Sequence, residues 1–124
     1  SPLKTTYLMS FKDWQYAFVN GLPLAEQRAS YEELIIPESK TAARGALTDA
    51  TKVDFDKPHV PILFTAGGKD HIIPAHLNRR NFAKYKKNGS VLEYKEYPGH
   101  NHLVLGLSDW KQSATDILNW LESH

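Results

Sequence analysis

The spacing of apolar residues over the first part of the chain, residues 1–52, predicts short helices separated by turns. Asn20-Gly21 is a strong turn signal, and Pro23 and Pro37 each favour a break in helical structure. Helices are predicted over residues 11–18, 24–34 and 38–49. Their apolar faces are small, so these helices do not make a good core by themselves.

From Val53 onward the pattern changes to short apolar runs that alternate with amphipathic segments. The first run has no polar alternation and stops at Gly67-Gly68, and its length and β-branched content favour a strand buried on both faces. The last segment repeats apolar residues at helical spacing, at Trp110, Ala114, Ile117, Leu118 and Leu121. The predicted elements are a strand over residues 60–66, a helix over residues 74–87 ended by Asn88-Gly89, a strand over residues 91–97, and a closing helix with Ser108 as its N-cap.

This β-α-β-α order predicts an α/β fold with two parallel strands joined by a right-handed helical crossover. Two parallel strands are a poor sheet by themselves, because parallel sheets are normally larger and covered on both faces. We therefore expect further strands to belong beside these two. We also expect the isolated chain to associate with another copy through its truncated sheet edge.

Composition and charge limit the partners of this chain. Its 124 residues are 41% hydrophobic and carry a net charge of +1, which gives no electrostatic reason to expect nucleic acid or an anionic membrane. The densest basic group, Lys84, Lys86 and Lys87, lies near the end of a predicted helix, where cations suit the helix dipole. No apolar stretch is long enough to span a membrane, and no signal peptide is visible. The absence of cysteine excludes disulfides and a cysteine nucleophile; it weakly favours the cytoplasm and is also compatible with the periplasm.

One polar residue follows each predicted strand. Asp70 ends the sequence Gly-Gly-Lys-Asp after the first strand, and His102 ends Tyr-Pro-Gly-x-x-His after the second. Ligands of open α/β sheets bind beyond the carboxyl ends of the strands, where loops from neighbouring strands can meet. A carboxylate in that place would fix the tautomer of the imidazole, and the other ring nitrogen would take a proton from a nucleophile.

These residues together resemble the α/β-hydrolase superfamily. Gly-Gly-Lys-Asp followed by Ile-Pro, then Tyr-Pro-Gly-x-x-His and a closing amphipathic helix, is similar to the last two core strands of that family, whose chain order is Ser…Asp…His. The resemblance implies that Asp70 is the triad acid and that His102, rather than His100, is the general base. It further implies that residues 1–52 form a helical cap or lid and that residues 53–124 form the C-terminal portion of an incomplete α/β-hydrolase core.

The nucleophile of that family is absent from the chain. No serine lies in Gly-x-Ser-x-Gly, and no His-Gly-Gly oxyanion motif is present. The resemblance therefore implies a serine carboxylesterase or lipase-like enzyme that acts on a small-molecule ester without a cofactor, and of which this chain alone is inactive, because no acyl-enzyme can form. The superfamily also includes peptidases, lyases, dehalogenases and epoxide hydrolases, the last two with an Asp nucleophile, so the reaction stays open. The competing class is a non-enzymatic association module.

Other interpretations of the same residues remain. An Asp after a glycine-rich strand end is often only a turn former or a helix N-cap, and a loop histidine often has no chemical role. His100 and His102, with His71 and His76, would suggest zinc, but no carboxylate or further His lies at ligand spacing, so we expect no metal.

The aromatic residues of the two parts have alternative roles. The aromatic residues of the first helix either line an acyl pocket beneath the cap or pack the cap onto the core: Phe11, Trp14, Tyr16 and Phe18. Trp110 and Trp120 are predicted to be core and rim residues of the last helix.

Overall fold

The structure, a computed structural model, describes residues 6–85 and 89–124. These residues form a mixed α/β structure with five α-helices and two two-stranded sheets, which confirms the predicted α/β class. In chain order the elements are β1 (Thr6–Tyr7), α1 (Phe11–Ala17), α2 (Leu24–Leu34), β2 (Glu38–Ser39), α3 (Lys40–Gly45), a 3₁₀ turn (Asp49–Thr51), β3 (Ile62–Gly67), α4 (Ala75–Lys84), β4 (Leu92–Tyr97) and α5 (Trp110–Glu122).

The first helix is fixed at both ends by local sequence. The Ser10 hydroxyl accepts a hydrogen bond from the Asp13 N–H at 3.1 Å, which satisfies one of the free donors of the first turn. The helix is followed by a turn at Gly21, whose φ of 85° suits glycine. Trp14 is buried between α1 and α2, and its indole N–H donates to Ser30 Oγ at 3.1 Å.

The helix predicted over residues 38–49 is shorter and interrupted. Glu38 and Ser39 are extended and pair antiparallel with β1. Ser39 can cap α3 only from this extended backbone, so the helix starts after it, with the Ser39 hydroxyl accepting from the Ala42 N–H. The helix ends at Gly45, whose carbonyl accepts from the Thr48 hydroxyl at 2.7 Å.

Both parallel strands end close to the predicted positions. β3 ends at Gly67, one residue after its predicted end, and β4 ends at Tyr97 as predicted. β3 and β4 run parallel, with Ile62 opposite Leu92 and Gly67 opposite Tyr97. Both strands therefore end at the same edge, and the loops that leave them begin side by side.

Helices lie on both faces of this sheet. On one face, the Phe82 ring of α4 packs against Phe64 and Tyr94, which are opposite each other in the register. On the other face, the Asp116 carboxylate of α5 accepts hydrogen bonds from Tyr97 and Lys95 at 3.0 Å each. The crossover helix and the closing helix are thus on opposite sides of β4.

Helix α4 ends at Lys84, earlier than the predicted end at Lys87. Tyr85 has an extended backbone with ψ of 136°, and its ring packs against Phe55 and Phe64. This tertiary packing stops the helix before the predicted Asn88-Gly89 cap. Residues 86–88, with two of the three lysines of the basic group, lie outside the described residues.

The start of α5 and the burial of its apolar stripe also differ from the prediction. The N-cap is Asp109 rather than Ser108, and its carboxylate bonds the His100 ring instead of a backbone N–H of the helix. Trp110 is 46% exposed and is therefore not a core residue; Leu118 and Leu121 are 54% and 58% exposed. Where α5 meets the sheet it contacts polar β4 side chains, so much of the stripe is left outside the core.

The buried apolar residues are few among those described: Trp14, Ala17, Val19, Ala66, Ala75, Leu92 and Leu107. No helix in residues 6–85 or 89–124 is both long and apolar enough to cross a membrane.

Candidate active site

The loops that follow β3 and β4 are held against each other by backbone hydrogen bonds. The Gly68 N–H donates to the Tyr97 carbonyl at 2.8 Å, and the Lys69 N–H donates to the His100 carbonyl at 2.9 Å. A Cβ atom on Gly67 would lie 2.6 Å from the His100 and Asn101 carbonyl oxygens. Only glycine permits this approach, so the Gly-Gly sequence allows the two loops to lie in backbone contact.

Asp70 lies where the first of these loops turns, and its two carboxylate oxygens have separate partners. Oδ1 accepts from the Ile72 and Ile73 N–H groups at 2.8 and 2.9 Å, which holds the turn. Oδ2 lies 2.9 Å from His102 Nδ1. The carboxylate is buried, with 9% of the residue exposed. Asp70 is therefore both a turn former and the partner of the histidine; it is not a helix N-cap, because Pro74 precedes α4.

The hydrogen bond that His102 Nδ1 makes to Asp70 fixes the tautomer of the imidazole ring. An ionised carboxylate only accepts, so Nδ1 carries the proton and Nε2 keeps its lone pair in the neutral ring. Among the described residues, no protein group is hydrogen-bonded to Nε2. The Phe18 ring packs edge-on against the imidazole, with centroids 5.0 Å apart and planes at 83°.

An open groove of about 470 Å³ lies in front of this pair. His102 and Asp70 line it together with three consecutive residues of β3 and the turn after the histidine. Leu103, Val104 and Leu105 make one wall apolar, and Ile73 adds to it. His102 thus borders a mostly apolar space beyond the carboxyl ends of the strands.

A second, smaller cavity of about 100 Å³ lies within the helical segment. Trp14 and Phe18, two of the four aromatic residues predicted for a pocket or for packing, line it, with Met9 and Ile35 among its other walls. Phe18 lines this cavity and also contacts the His102 ring, so the Phe18 side chain lies between the cavity and the imidazole.

The other two aromatic residues of that group have different places. Phe11 packs against Tyr31 and lies under the guanidinium of Arg28. Tyr16 is 66% exposed and stacks on the ring of His71, with centroids 4.4 Å apart.

The neighbouring histidine, His100, points elsewhere. Its Nε2 lies 2.8 Å from Asp109 Oδ2, and its ring stacks on Tyr97 with planes at 9°. The structure therefore brings Asp70 to His102, the histidine that the resemblance favours, and not to His100. The catalytic role of the pair stays a prediction. Among the described residues, no three His, Asp or Glu side chains are grouped so that they could hold a metal ion.

Sequence reasoning missed two asparagines beside the pair. Asn101 is 2% exposed and donates to the Asn20 carbonyl at 3.0 Å, and the Asn20 amide donates to the Lys69 carbonyl at 2.8 Å. Asn101 lies between His100 and His102 in the sequence, and this position was the only sequence signal for a role of Asn101 at the site. The Asn20-Gly21 turn gave no sign of a contact with residues so far along the chain.

Comparisons with protein-family models, with curated proteins and with solved structures found no match. The function is therefore inferred from the geometry of the site.

Proposed function

We propose that this chain carries the acid and the general base of a serine-type α/β-hydrolase, carboxylesterase-like or lipase-like, whose nucleophile lies on polypeptide outside these 124 residues. Residues 53–124 would be the C-terminal portion of its core, and residues 1–52 its cap. One observation carries the proposal: the 2.9 Å contact between Asp70 Oδ2 and His102 Nδ1, at the ends of adjacent parallel strands.

The geometry suits the division of labour in a triad. Asp70 holds the ring with Nδ1 protonated and would stabilise the imidazolium, because it is buried and its other oxygen is held by backbone N–H groups. His102 Nε2 would take the proton from a serine hydroxyl in the groove and return it to the leaving alcohol. The apolar groove wall and the cavity behind Phe18 suit the apolar part of an ester.

The exposed apolar surface fits a core that is completed by other polypeptide. The stripe of α5 is largely exposed, and β3 has an unpaired edge among the described residues. In the proposed enzyme, the strands that carry the nucleophile would pair with the free edge of β3, and other parts of the core would cover the α5 stripe.

The experiment extends the polypeptide on the N-terminal side of Ser1 with the sequence that its gene encodes there and measures hydrolysis of p-nitrophenyl butyrate. We expect turnover, and we expect His102→Ala to lower kcat by about a thousandfold or more. His76→Ala is the matched control, because His76 is an exposed residue of α4 and should leave kcat unchanged.

The 124-residue chain alone should show no turnover. If this chain alone hydrolyses the ester and His102→Ala abolishes that activity, the proposal that the nucleophile lies outside these residues is contradicted. An extended polypeptide that holds Asp in place of the serine would redirect the proposal to dehalogenase or epoxide hydrolase chemistry.

A non-enzymatic association module is the second candidate, favoured by the same exposed α5 stripe and open sheet edge. In that case the Asp70–His102 bond would only stabilise the two loops. An extended polypeptide that associates through this surface but hydrolyses no ester, and whose His102 reacts with no ester analogue, would favour this candidate.

A further inference from the structure

The short segment of residues 16–20, here called the bridging segment, contacts the loops that carry both Asp70 and His102. On the acid loop, the Tyr16 carbonyl lies 2.7 Å from His71 Nδ1, and the Asn20 amide donates to the Lys69 carbonyl at 2.8 Å. The two residues that flank Asp70 are therefore both tied to the bridging segment.

The histidine loop is tied to the same segment. Phe18 packs edge-on against the His102 ring, and the Asn101 amide donates to the Asn20 carbonyl at 3.0 Å. Asn20 thus contacts both loops, one through its side chain and one through its backbone.

Asn101 also closes the turn around His102. Its Oδ1 accepts from the Leu103 N–H at 3.0 Å, while its Nδ2 bonds Asn20. The residue before His102 is anchored to the bridging segment and the residue after it is anchored to Asn101, so the backbone that bears the imidazole has little freedom.

Packing alone does not account for these amides. Asn101 is 2% exposed, and Asn20 Oδ1 is buried without a hydrogen-bond partner among the described residues. Buried amides cost free energy unless they are fully bonded, and an apolar residue would fill the space without that cost. What the two asparagine side chains add is a pair of directional bonds, from Asn20 Nδ2 to the acid loop and from Asn101 Nδ2 to the bridging segment.

We infer that Asn101 and Asn20 are positioning residues, through which the helical N-terminal part of the chain holds the His102 imidazole against Asp70. This inference rests on the proposed function for its catalytic meaning. A displacement of the bridging segment, such as a cap movement on substrate entry, would then change the orientation of the imidazole, so the cap would control the base as well as cover it.

The test is NMR spectroscopy of the 124-residue chain with ¹⁵N-labelled histidine. In the unsubstituted chain we expect His102 in the Nδ1–H tautomer, with a protected Nδ1–H signal that is lost in Asp70→Asn. Asn101→Ala should speed exchange of this proton by about tenfold or more, or broaden the signal beyond detection, because the anchor to the bridging segment is gone.

Asn101→Ser separates the anchor from the local turn. Serine keeps a neutral acceptor for the Leu103 N–H but is too short to reach the Asn20 carbonyl. If the bridging segment positions the ring, this variant loses protection as Asn101→Ala does; an unchanged signal would overturn the inference. Ser30→Ala is the control, because it removes the bond from Trp14 to Ser30 within the helical part without touching the bridge.

The outcomes separate the inference from the proposed function. A protected Nδ1–H that persists in Asn101→Ala and Asn101→Ser overturns the positioning role and leaves the Asp70–His102 pair intact. Absence of the protected signal in the unsubstituted chain counts against the proposed function and the inference together. The dispersion of the amide spectrum shows whether each variant is folded.

Discussion

At the scale of single residues, Asp70 shows how one side chain serves local structure and chemistry together. Oδ1 holds a turn through two backbone N–H groups and Oδ2 meets the imidazole. The turn presets the direction of the second oxygen, so little reorganisation is needed for it to hold the histidine. The neutral interpretation of Asp70 as a turn former and its proposed catalytic role are therefore compatible.

Gly67 offers a residue-scale prediction. Gly67→Ala should destabilise the chain by about 1–3 kcal/mol, because its Cβ would press on backbone carbonyls that cannot move away. Gly45→Ala is the control: nothing lies within 4 Å of its Cβ, and alanine in a helix should stabilise by about 0.5–1 kcal/mol. Urea denaturation measures both. Equal stability of the two variants would contradict the close approach of the two loops.

At the scale of elements, α5 is joined to β4 through polar groups. The pKa of Asp116 lies below its ordinary value, chiefly because the Lys95 ammonium bonds the carboxylate and also because Gln112 and Tyr97 donate to it, while partial burial acts the other way. Burial and the Asp116 bond raise the pKa of Tyr97. Charge and hydrogen bonds thus replace much of the apolar packing expected of this helix.

These shifts predict how stability depends on pH. A carboxylate whose pKa is lowered by folding stabilises the folded state fully above its unfolded pKa of about 4, and this stabilisation is lost as the pH falls through the folded value. Asp116→Asn should therefore be less stable than the unsubstituted chain at pH 7, with a difference that shrinks in acid. Thermal unfolding measured between about pH 7 and about pH 2.5, a range that includes the unfolded pKa, gives this difference.

Asp49→Asn is the matched control, because the Asp49–Lys52 pair is almost fully exposed, at 90% and 77% of the side chains. Exposed ion pairs contribute little to the free energy of unfolding, so this variant should have the same unfolding temperature as the unsubstituted chain at every pH. A difference for Asp116→Asn that stays constant into acid would mean that the carboxylate charge does not join α5 to β4.

At the scale of the whole molecule, β3 and β4 pair only with each other among the described residues, so the β3 side of the sheet is an open edge, as is the β4 side. The Ile62 and Gly68 N–H groups both donate to the β4 side, so the period of two leaves the N–H groups of Leu63, Thr65 and Gly67 facing the free edge. An unpaired strand edge is a site for pairing with another chain, and the exposed apolar stripe of α5 is a second surface for association.

The open edge predicts self-association of the isolated chain. Thr65→Pro should weaken it, because proline removes an edge N–H without removing a bond to β4. Sedimentation velocity over a range of concentrations measures the oligomer. Leu121→Lys distinguishes the surfaces: if only this variant becomes monomeric, the α5 stripe forms the contact instead. A strict monomer at high concentration for the unsubstituted chain would contradict the prediction.

The sequence by itself determined the local features of this chain. The apolar run before Gly67-Gly68, the Val91–Tyr97 run and the helical spacing after Trp110 located both parallel strands and the last helix, because periodicity and turn residues act over a few neighbours. The same local logic placed Asp70 and His102 at the ends of adjacent strands, and the structure brings them to 2.9 Å.

Only the tertiary structure decided features that depend on distant residues. Tyr85 ends α4 early through its contacts with Phe55 and Phe64. The carboxylate of Asp109, the N-cap of α5, is hydrogen-bonded to the His100 ring. The link between Asn20 and Asn101 joins residues 81 positions apart. No local pattern encodes such pairs, because their energy arises only when folding has brought the two segments together.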